Sequence, residues 1–289
     1  MIHRLCIFGV GLIGGSLAQA LRVAGVAETI VGCSRTEANL ARAVELGVID
    51  EYTLDPVAAV AGADMVVIAT TLGATKSIFE QIAAHLSPTA VVTDVGSAKA
   101  RVVDAARTCL GPNFAQFVPG HPIAGTEKSG VDASFATLFR DHRVILTPLP
   151  ETSREALTLV SEMWQTTGAN VVEMEVGHHD EVLAATSHLP HMLAYALVDC
   201  LAEMDESKEI FANAAGGFRD FTRIASSNPA MWCDIAMDNR DALLVVLENF
   251  TATYDKLLGA LESNDRAQLL QIFTRARDAR ERATFKTIK

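Results

Sequence analysis

The sequence predicts an α/β fold in which a Rossmann-type, doubly wound parallel sheet is followed by an all-α domain. Three observations support this class: short apolar runs alternate with amphipathic helical segments in the first half, a glycine-rich turn follows the first run, and strand-like runs stop near Val176. Strands that alternate with helices imply a parallel sheet covered on both faces. We therefore expect a dinucleotide-binding domain over residues 1–176 and an all-helical substrate and dimerisation domain over residues 177–289.

The predicted strands of the first domain are short, apolar and rich in β-branched residues, as expected for strands buried on both faces. The segments between them, such as residues 15–24 and 37–46, carry apolar residues at helical spacing. The predicted strands cover residues 5–8, 29–31, 65–69, 90–93, 143–146 and 170–173.

The second half shows long helical periodicities, and Pro190 is expected to bend the first of the helices. Their apolar faces are too extensive for isolated surface helices, so we expect this domain to pack against a second copy in a homodimer. The predicted helices cover residues 178–203, 207–215, 229–261 and 265–285.

Composition excludes several classes of protein. The 289 residues are 49% hydrophobic, with a mean hydropathy of +0.23, which excludes a disordered chain. The net charge of −11 disfavours a non-specific nucleic-acid binder, and no apolar run approaches the length of a membrane span. The five widely spaced cysteines predict neither a disulfide framework nor a thiolate zinc site. We expect a cytoplasmic protein without nucleic-acid or membrane partners.

A phosphate-binding turn follows the first strand directly. In the segment GVGLIG at residues 9–14, the first glycine allows a tight turn, the second lets the backbone approach a pyrophosphate, and the third permits close contact between helix and strand. The residues expected to bind a dinucleotide here are Gly9, Gly11, Leu12, Ile13 and Gly14.

The end of the second strand bears on the choice of cofactor. A free ribose 2′-hydroxyl is usually held by Asp or Glu there, but this chain has Ser34 and Arg35. An arginine can bind a 2′-phosphate bidentately, so we predict a preference for NADP, with NAD possible. In the alternative, Arg35 only stacks on the adenine and either cofactor works.

Three further motifs stand where a strand ends or a helix begins. The segment TDVGSAK at residues 93–99 ends the fourth predicted strand, residues 120–130 follow another apolar run, and residues 187–191 lie in the first long helix of the second domain. Ligands of open α/β sheets bind beyond the carboxyl ends of the strands. We therefore expect the three motifs to face one crevice.

With these motifs the sequence resembles the prephenate/arogenate (cyclohexadienyl) dehydrogenases of tyrosine biosynthesis. The resemblance implies oxidative decarboxylation of prephenate, possibly also of arogenate, with hydride transfer to NAD(P), in the minimal two-domain form of the family. Five motifs in order carry it: GVGLIGGS at 9–16, DVGSAK at 94–99, GHPIAGTEKSG at 120–130, HDEVLAATSHLPH at 179–191 and GGFRDFTRIASSNPAMWCDI at 216–235.

The resemblance identifies His121 as the base that takes the proton of the substrate hydroxyl, and Ser97 as a hydroxyl that binds the substrate or the imidazole. Such a base needs a pKa near neutrality, which histidine has without perturbation. Pro122 restricts His121 to extended backbone geometry. No metal is expected, because hydride transfer to a nicotinamide needs none.

The substrate carries two carboxylates, so cations must collect in an acidic protein. The resemblance assigns the ring carboxylate to Arg223. Arg219 lies four residues earlier, on the same face if the segment is helical, and either binds substrate or pairs with Asp220 or Glu127. The guanidinium of Arg223 and the imidazole of His121 should therefore converge beside the nicotinamide.

Other site residues follow from the same motifs. His191 is expected to donate to the substrate, with His188 and His179 as supports, while Trp232 lines the side-chain end of the pocket or is simply buried. Glu127 and Asp220 could favour the ammonium of arogenate, and we favour prephenate or dual use over arogenate alone. The remaining predicted residues are Thr126 for substrate and Thr70 for cofactor.

Two alternatives remain open at this stage. The first is another NAD(P)-dependent hydroxy-acid dehydrogenase that joins a Rossmann domain to a helical dimer domain, with Lys99 or Lys128 as the catalytic residue; activity on hydroxy acids but not on prephenate would favour it. The second is a non-catalytic nucleotide-sensing protein, which cofactor binding without turnover would support.

Overall fold

The computed structural model describes residues 1–126 and 128–283. Its largest sheet has six parallel strands in the order β3-β2-β1-β4-β5-β6, the arrangement of a doubly wound dinucleotide-binding domain. The predicted fold class is confirmed. The strands are β1 (Ile2–Phe8), β2 (Ala27–Cys33), β3 (Glu51–Thr53), β4 (Met65–Ile68), β5 (Val91–Asp94) and β6 (Phe117–Val118).

Helices cover both faces of this sheet. In β1, Leu5 and Ile7 face one buried cluster with residues of α1 and α6, while Cys6 and Phe8 face a second cluster with residues of α4 and α5. Alternating side chains of a strand point to opposite faces, so both sets must be apolar. These helices are α1 (Leu12–Ala24), α2 (Glu37–Glu45), α3 (Pro56–Val60), α4 (Leu72–Ile82), α5 (Ala100–Cys109) and α6 (Arg154–Thr166).

Three further strands form a separate small sheet: β7 (Gly120–Pro122), β8 (Arg143–Leu146) and β9 (Asn170–Glu173). The strands predicted over residues 143–146 and 170–173 are present, but their assignment to the main parallel sheet is wrong, since β7 pairs antiparallel with β8. Three short strands, β3, β6 and β7, escape sequence analysis because two or three residues carry no periodicity. Asp94 therefore ends the fifth strand and not the fourth.

The remaining chain is helical, as predicted, but two of the predicted helices are interrupted. The segment 178–203 contains a widened π turn (Ala184–His188) directly before Pro190, which has no backbone N–H to donate. The segment 229–261 breaks at Asn239. The helices are α7 (Val176–Leu183), α8 (Leu189–Ala202), α9 (Ser207–Ala212), α10 (Gly216–Thr222), α11 (Pro229–Asp238), α12 (Arg240–Glu262) and α13 (Arg266–Arg282).

The helical region closes over one end of the main sheet. Trp232 and Ile235 of α11 belong to the buried cluster that contains α4 and α5, and Asp234 lies against Gly73 at the start of α4. The predicted helix over 265–285 ends at Arg282, and residues 284–289 lie outside the described residues. None of the helices in the described ranges is both long and apolar enough to cross a bilayer.

Candidate active site

The glycine turn between β1 and α1 packs tightly against the end of β4. Gly9 has a φ of +87°, and a Cβ added there would lie 2.5 Å from the carbonyl oxygen of Ala69. A Cβ added at Gly14 would lie 2.2 Å from the carbonyl oxygen of Gly9. At Gly11, in contrast, no heavy atom of the described chain lies within 4 Å of an added Cβ. The first and third glycines are needed for packing, and the second faces open space.

This open space fits a dinucleotide pyrophosphate. Gly11 is the N-cap of α1 and offers no side-chain acceptor to the helix, so the amides of the first turn, including those of Leu12 and Ile13, point toward the space. Thr70 is the second residue after β4, and its backbone nitrogen would lie 3.0 Å from a Cβ added at Gly9. At the neighbouring strand end, half-buried Ser34 accepts a hydrogen bond from the Thr36 N–H at 3.3 Å, and Arg35 is exposed.

Beside the end of β5, two histidines and a carboxylate form a continuous hydrogen-bonded chain. His121, on β7, places its Nδ1 2.9 Å from Nε2 of His179 on α7. His179 in turn places its Nδ1 2.7 Å from Oδ1 of Asp180. Both imidazoles are buried, that of His179 completely. The strand geometry expected for His121 before Pro122 is present.

Asp180 is anchored at the N-terminus of α5. The backbone N–H groups of Lys99 and Ala100 donate to its two carboxylate oxygens at 2.8 and 2.9 Å. Burial acts to raise the pKa of Asp180, but the hydrogen bonds from His179 and the two amides outweigh it and lower the pKa below its usual value. Asp180 is therefore a carboxylate at neutral pH.

A buried ion pair joins the end of β5 to β7. Lys99, fully buried, pairs with Asp94 and donates from Nζ to the carbonyl oxygen of Gly120 at 2.8 Å. Asp94 also accepts hydrogen bonds from the N–H groups of Gly96 and Gly120 at 2.8 and 3.2 Å. Burial lowers the pKa of Lys99, while Asp94 opposes that shift. The pair fixes the strand position next to His121.

The surroundings of His121 keep it neutral, so the unperturbed pKa near neutrality that the sequence led us to expect is not present. Burial, followed by the nearby His179, Lys99 and His188, lowers the pKa of His121 well below 6.5. A neutral imidazole whose Nδ1 is already engaged has one nitrogen left, Nε2, to accept a proton. The arrangement can therefore act as a general base toward a bound hydroxyl group.

A second histidine cluster lies where the π turn meets α8. His191 stacks on Trp232 with ring centroids 3.6 Å apart, and its Nδ1 donates to the Ser187 carbonyl at 2.9 Å. Burial lowers the pKa of His188 to about 4. The Nδ1 of His188 lies 3.0 Å from Nδ2 of Asn239, which also donates to the Asp180 carbonyl at 2.8 Å. Within the described chain, Nε2 of His188 and Nε1 of Trp232 are buried without a hydrogen-bond partner.

The predicted substrate cations lie at the outer side of this cluster. Arg219 is in α10, whereas Arg223 begins a short 3₁₀ turn (Arg223–Ser226) that packs against α8, the helix carrying His191. Tyr195 of α8 donates to the Ser227 carbonyl at 2.7 Å and holds this turn in place. Both arginines, like Asp220, are exposed.

The other predicted site residues make few contacts that would indicate a role. Ser97 is half-buried in the loop between β5 and α5, and its side chain makes no hydrogen bond to the described residues. Thr126 is exposed and accepts from the Lys128 N–H at 3.2 Å. Glu127 lies outside the described residues. Across residues 1–126 and 128–283, no group of three His, Cys, Asp or Glu side chains is arranged to hold a metal ion.

Sequence analysis missed three residues of this network: Asp94, Asp180 and Asn239. Asp94 and Asp180 lie inside motifs that the sequence analysis had already identified, and Asp180 directly follows His179. Their place in these motifs could therefore have identified them as site residues. Asn239 lies within a segment predicted as continuous helix and carried no such signal. Lys99 was considered only as a catalytic residue of another reaction, whereas its side chain is fully buried in an ion pair.

Comparison with known proteins identifies related sequences over nearly the whole chain. A family model for the nucleotide-binding domain of prephenate dehydrogenase matches residues 17–173, and one for the dimerization domain of prephenate dehydrogenase matches residues 175–275. Both halves of the chain therefore resemble one group of enzymes.

Three relatives illustrate the similarity. The cyclohexadienyl dehydrogenase of Zymomonas mobilis is 39% identical over 284 residues, covering 97% of this chain and 96% of that protein. The prephenate dehydrogenase of Bacillus subtilis is 38% identical over 97% of this chain and 76% of its own. The crystal structure of Aquifex aeolicus prephenate dehydrogenase with hydroxyphenyl propionate and NAD+ superimposes with a TM-score of 0.90 at 36% identity, covering 97% of this chain and 98% of that one.

Proposed function

Because the chain belongs to the prephenate dehydrogenase family, we propose that it oxidises and decarboxylates prephenate, and also accepts arogenate, in the cleft between the glycine turn and the histidine network. The resemblance inferred from five motifs is confirmed, and the chain is an enzyme that binds a nicotinamide dinucleotide. Dual use is supported by the 39% identity to a cyclohexadienyl dehydrogenase. The open space at Gly11 fits the pyrophosphate of the cofactor.

In the proposed mechanism, His121 is the general base. A nicotinamide dinucleotide held at the glycine turn by Gly9, Gly11 and Gly14 would supply the hydride acceptor for the ring carbon that carries the hydroxyl group. Nε2 of His121 takes the hydroxyl proton, and loss of the ring carboxylate as CO₂ converts the resulting ring ketone into a phenolate. The phenolate takes the proton back from His121, which leaves 4-hydroxyphenylpyruvate from prephenate, or tyrosine from arogenate. Ser97, in the loop after β5, binds the same hydroxyl, and burial around His121 keeps water from protonating the base.

The observation that carries this proposal is the neutral, buried His121 on β7, next to Gly120, which is bonded to Asp94 at the end of β5, with Nδ1 of His121 bonded to His179. The test is a spectrophotometric assay of reduced-cofactor formation with prephenate and arogenate in parallel, each with NAD and with NADP. Turnover of prephenate is expected. Turnover of a hydroxy acid but of neither cyclohexadienol, or cofactor binding without turnover, would refute the proposal.

For substrate binding, we propose that Arg223 pairs with the ring carboxylate. Replacing Arg223 with alanine removes a charge-assisted hydrogen bond worth about 1.5–3 kcal/mol, so KM for prephenate should rise by about 10- to 150-fold. The kcat should change much less, because the pair forms in both ground and transition states. Steady-state kinetics measure both constants.

Arg219→Ala is the matched control, because Arg219 lies on the preceding helix, is also exposed, and carries the same charge. It should raise KM by less than about threefold if long-range attraction alone is lost. An equal rise in KM for the two variants would assign the effect to general charge and contradict a specific role for Arg223.

For the cofactor, we propose a preference for NADP, supported by exposed Arg35 and half-buried Ser34 after β2. Replacing Arg35 with alanine should lower kcat/KM for NADP by about 10-fold or more and leave kcat/KM for NAD nearly unchanged, because only NADP presents a 2′-phosphate. NAD serves as the internal control. Equal losses for both cofactors would favour stacking of Arg35 on adenine, and a clear NAD preference of the wild type would contradict the proposal.

We also propose that residues 177–289 form a dimerisation domain in a homodimer, and that residues 1–176 bind the dinucleotide. The exposed apolar side chains of α12 and α13 support this, since an uncovered face of this size is uncommon in monomers. They include Val245, Tyr254, Leu258, Leu261, Leu270 and Phe273. Light scattering of the purified protein should give twice the 30.9 kDa chain mass.

A further inference from the structure

We infer that Asp180 is a positioning residue for the proposed reaction: through His179, its carboxylate sets the tautomer of His121 and leaves Nε2 of His121 as the unprotonated nitrogen. The inference deepens the proposed function and rests on it. Its physical basis is the unbroken chain from the Asp180 carboxylate through both imidazoles, at 2.7 and 2.9 Å.

Each hydrogen position in this chain follows from the one before it. Asp180 is ionised and can only accept, so the proton on His179 must be at Nδ1. In the Nδ1–H tautomer of His179, Nε2 is an acceptor, so Nδ1 of His121 must carry the proton that it donates. Nε2 of neutral His121 is therefore a free lone pair, as a general base requires. Without the carboxylate, nothing in this chain selects that tautomer over the other.

The carboxylate is itself rigidly held. The N–H groups of Lys99 and Ala100 occupy both of its oxygens from the start of α5, where the helix dipole also favours a negative charge. Asn239, at the break between α11 and α12, binds the backbone carbonyl of the same residue. The start of α5 and Asn239 thus fix Asp180, and its direction toward His179 is set by the fold.

The negative charge of Asp180 also affects how easily His121 takes a proton. The cationic Lys99, from the start of α5, and His188, from the π turn, both lower the pKa of His121. The charge of Lys99 is partly balanced by Asp94, and Asp180 supplies the other nearby negative charge. When His121 takes a proton, the Asp180 carboxylate stabilises the cation shared along the histidine chain.

The inference predicts a specific kinetic signature for Asp180→Ala. The kcat should fall by about 10- to 100-fold, while KM for prephenate and for the cofactor should change by less than about threefold, because Asp180 is buried and its carboxylate is already bonded to His179 and to two backbone N–H groups. The acid limb of the kcat/KM profile should move to lower pH, because loss of a negative charge makes His121 harder to protonate. The side chain in Asp180→Asn keeps the shape of aspartate but has no charge. This variant should therefore show the same shift of the acid limb with a smaller loss of kcat.

Glu181→Gln is the matched control. Glu181 is the next carboxylate of α7, its side chain is 74% exposed, and it lies 3.8 Å from exposed His178, outside the chain to His121. It should leave kcat and the pH profile unchanged. If Asp180→Ala lowers only the melting temperature, with unchanged kcat per folded molecule and an unchanged acid limb, Asp180 is merely the cap of α5 and the inference is wrong.

A tautomer measurement separates the inference from the proposed function. In ¹⁵N-histidine-labelled protein, assigned with His121→Asn and His179→Asn, long-range ¹H–¹⁵N correlation spectra should show both rings protonated at Nδ1 at neutral pH. In Asp180→Ala the His179 signals should shift toward the Nε2–H form. Nε2–H rings in the wild type, or unchanged tautomers in Asp180→Ala, would overturn the inference. Absence of prephenate turnover in the wild type would instead refute the proposed function, with the spectra still testing the tautomer.

Discussion

Replacing His121 with asparagine is expected to lower kcat for prephenate by about 10²-fold or more, because a positioned general base contributes about 10²–10⁴-fold and an amide cannot take a proton at neutral pH. The variant should fold, since an asparagine amide of similar reach can still hydrogen-bond toward His179. The glycine turn that is expected to bind the cofactor is untouched, so cofactor affinity should be unchanged. Steady-state kinetics and a fluorescence titration with the reduced cofactor measure the two quantities.

His178→Asn is the control for this variant, because His178 lies on the same helix as His179 with its side chain 62% exposed.

The pH profile of the wild-type enzyme provides a second check on the role of His121. Activity requires neutral His121, so kcat/KM should rise with pH through the pKa of His121 and reach a plateau above it. Because that pKa is lowered well below 6.5, the acid limb should lie below pH 6.5. Near-normal kcat in His121→Asn would disprove the base assignment.

Replacing Lys99 with methionine should destabilise the protein more than any surface substitution. The change leaves the Asp94 carboxylate buried without its cation and removes the hydrogen bond to the Gly120 carbonyl. Breaking a buried ion pair on one side costs about 3–5 kcal/mol, which corresponds to a fall of about 10 °C in melting temperature for a chain of this size. Differential scanning fluorimetry of the purified protein measures the shift.

Lys76→Met is the matched control, because Lys76 pairs with Glu80 on the surface of α4 with its side chain 63% exposed. Such exposed pairs contribute about 0–1 kcal/mol, so the melting temperature should change by less than about 3 °C. Adding Asp94→Asn to Lys99→Met should recover part of the lost stability, because the uncompensated charge is then removed. A melting temperature within about 2 °C of the wild type for Lys99→Met would contradict the structural role assigned to the ion pair.

The parts of the fold that the sequence predicts correctly depend on local chemistry. Gly9, Gly11 and Gly14 are required within one turn of backbone, so their spacing identifies the phosphate-binding turn, and the φ of +87° at Gly9 agrees with it. The longer strands and the helical second half can be predicted from the periodicity of apolar residues along the sequence. The strands β3, β6 and β7 are not, because at two or three residues they are defined by their partners in the sheet.

The candidate site likewise has residues that the sequence predicts and partnerships that only the structure shows. Resemblance of five motifs leads to His121, His179, His188, His191 and Trp232, and the structure brings the first two together and clusters the other three. The roles assigned to Ser97 and Arg223 stay predictions. The motifs do not show which site residues are hydrogen-bonded to each other, because a motif gives the order of residues along the chain and not their contacts in the folded protein.

The amino-acid sequence alone determined the kind of enzyme and the glycine turn, and it predicted His121 as the proton acceptor, since each depends on residue types within a short segment. Only the tertiary structure decided that Lys99 is an ion-paired support, that Asp180 lies behind His179, and that Asn239 interrupts a helix to bind both Asp180 and His188. The physical reason is range: turn conformation depends on neighbouring residues, whereas a buried charge or a histidine tautomer is set by groups up to 81 positions away along the chain.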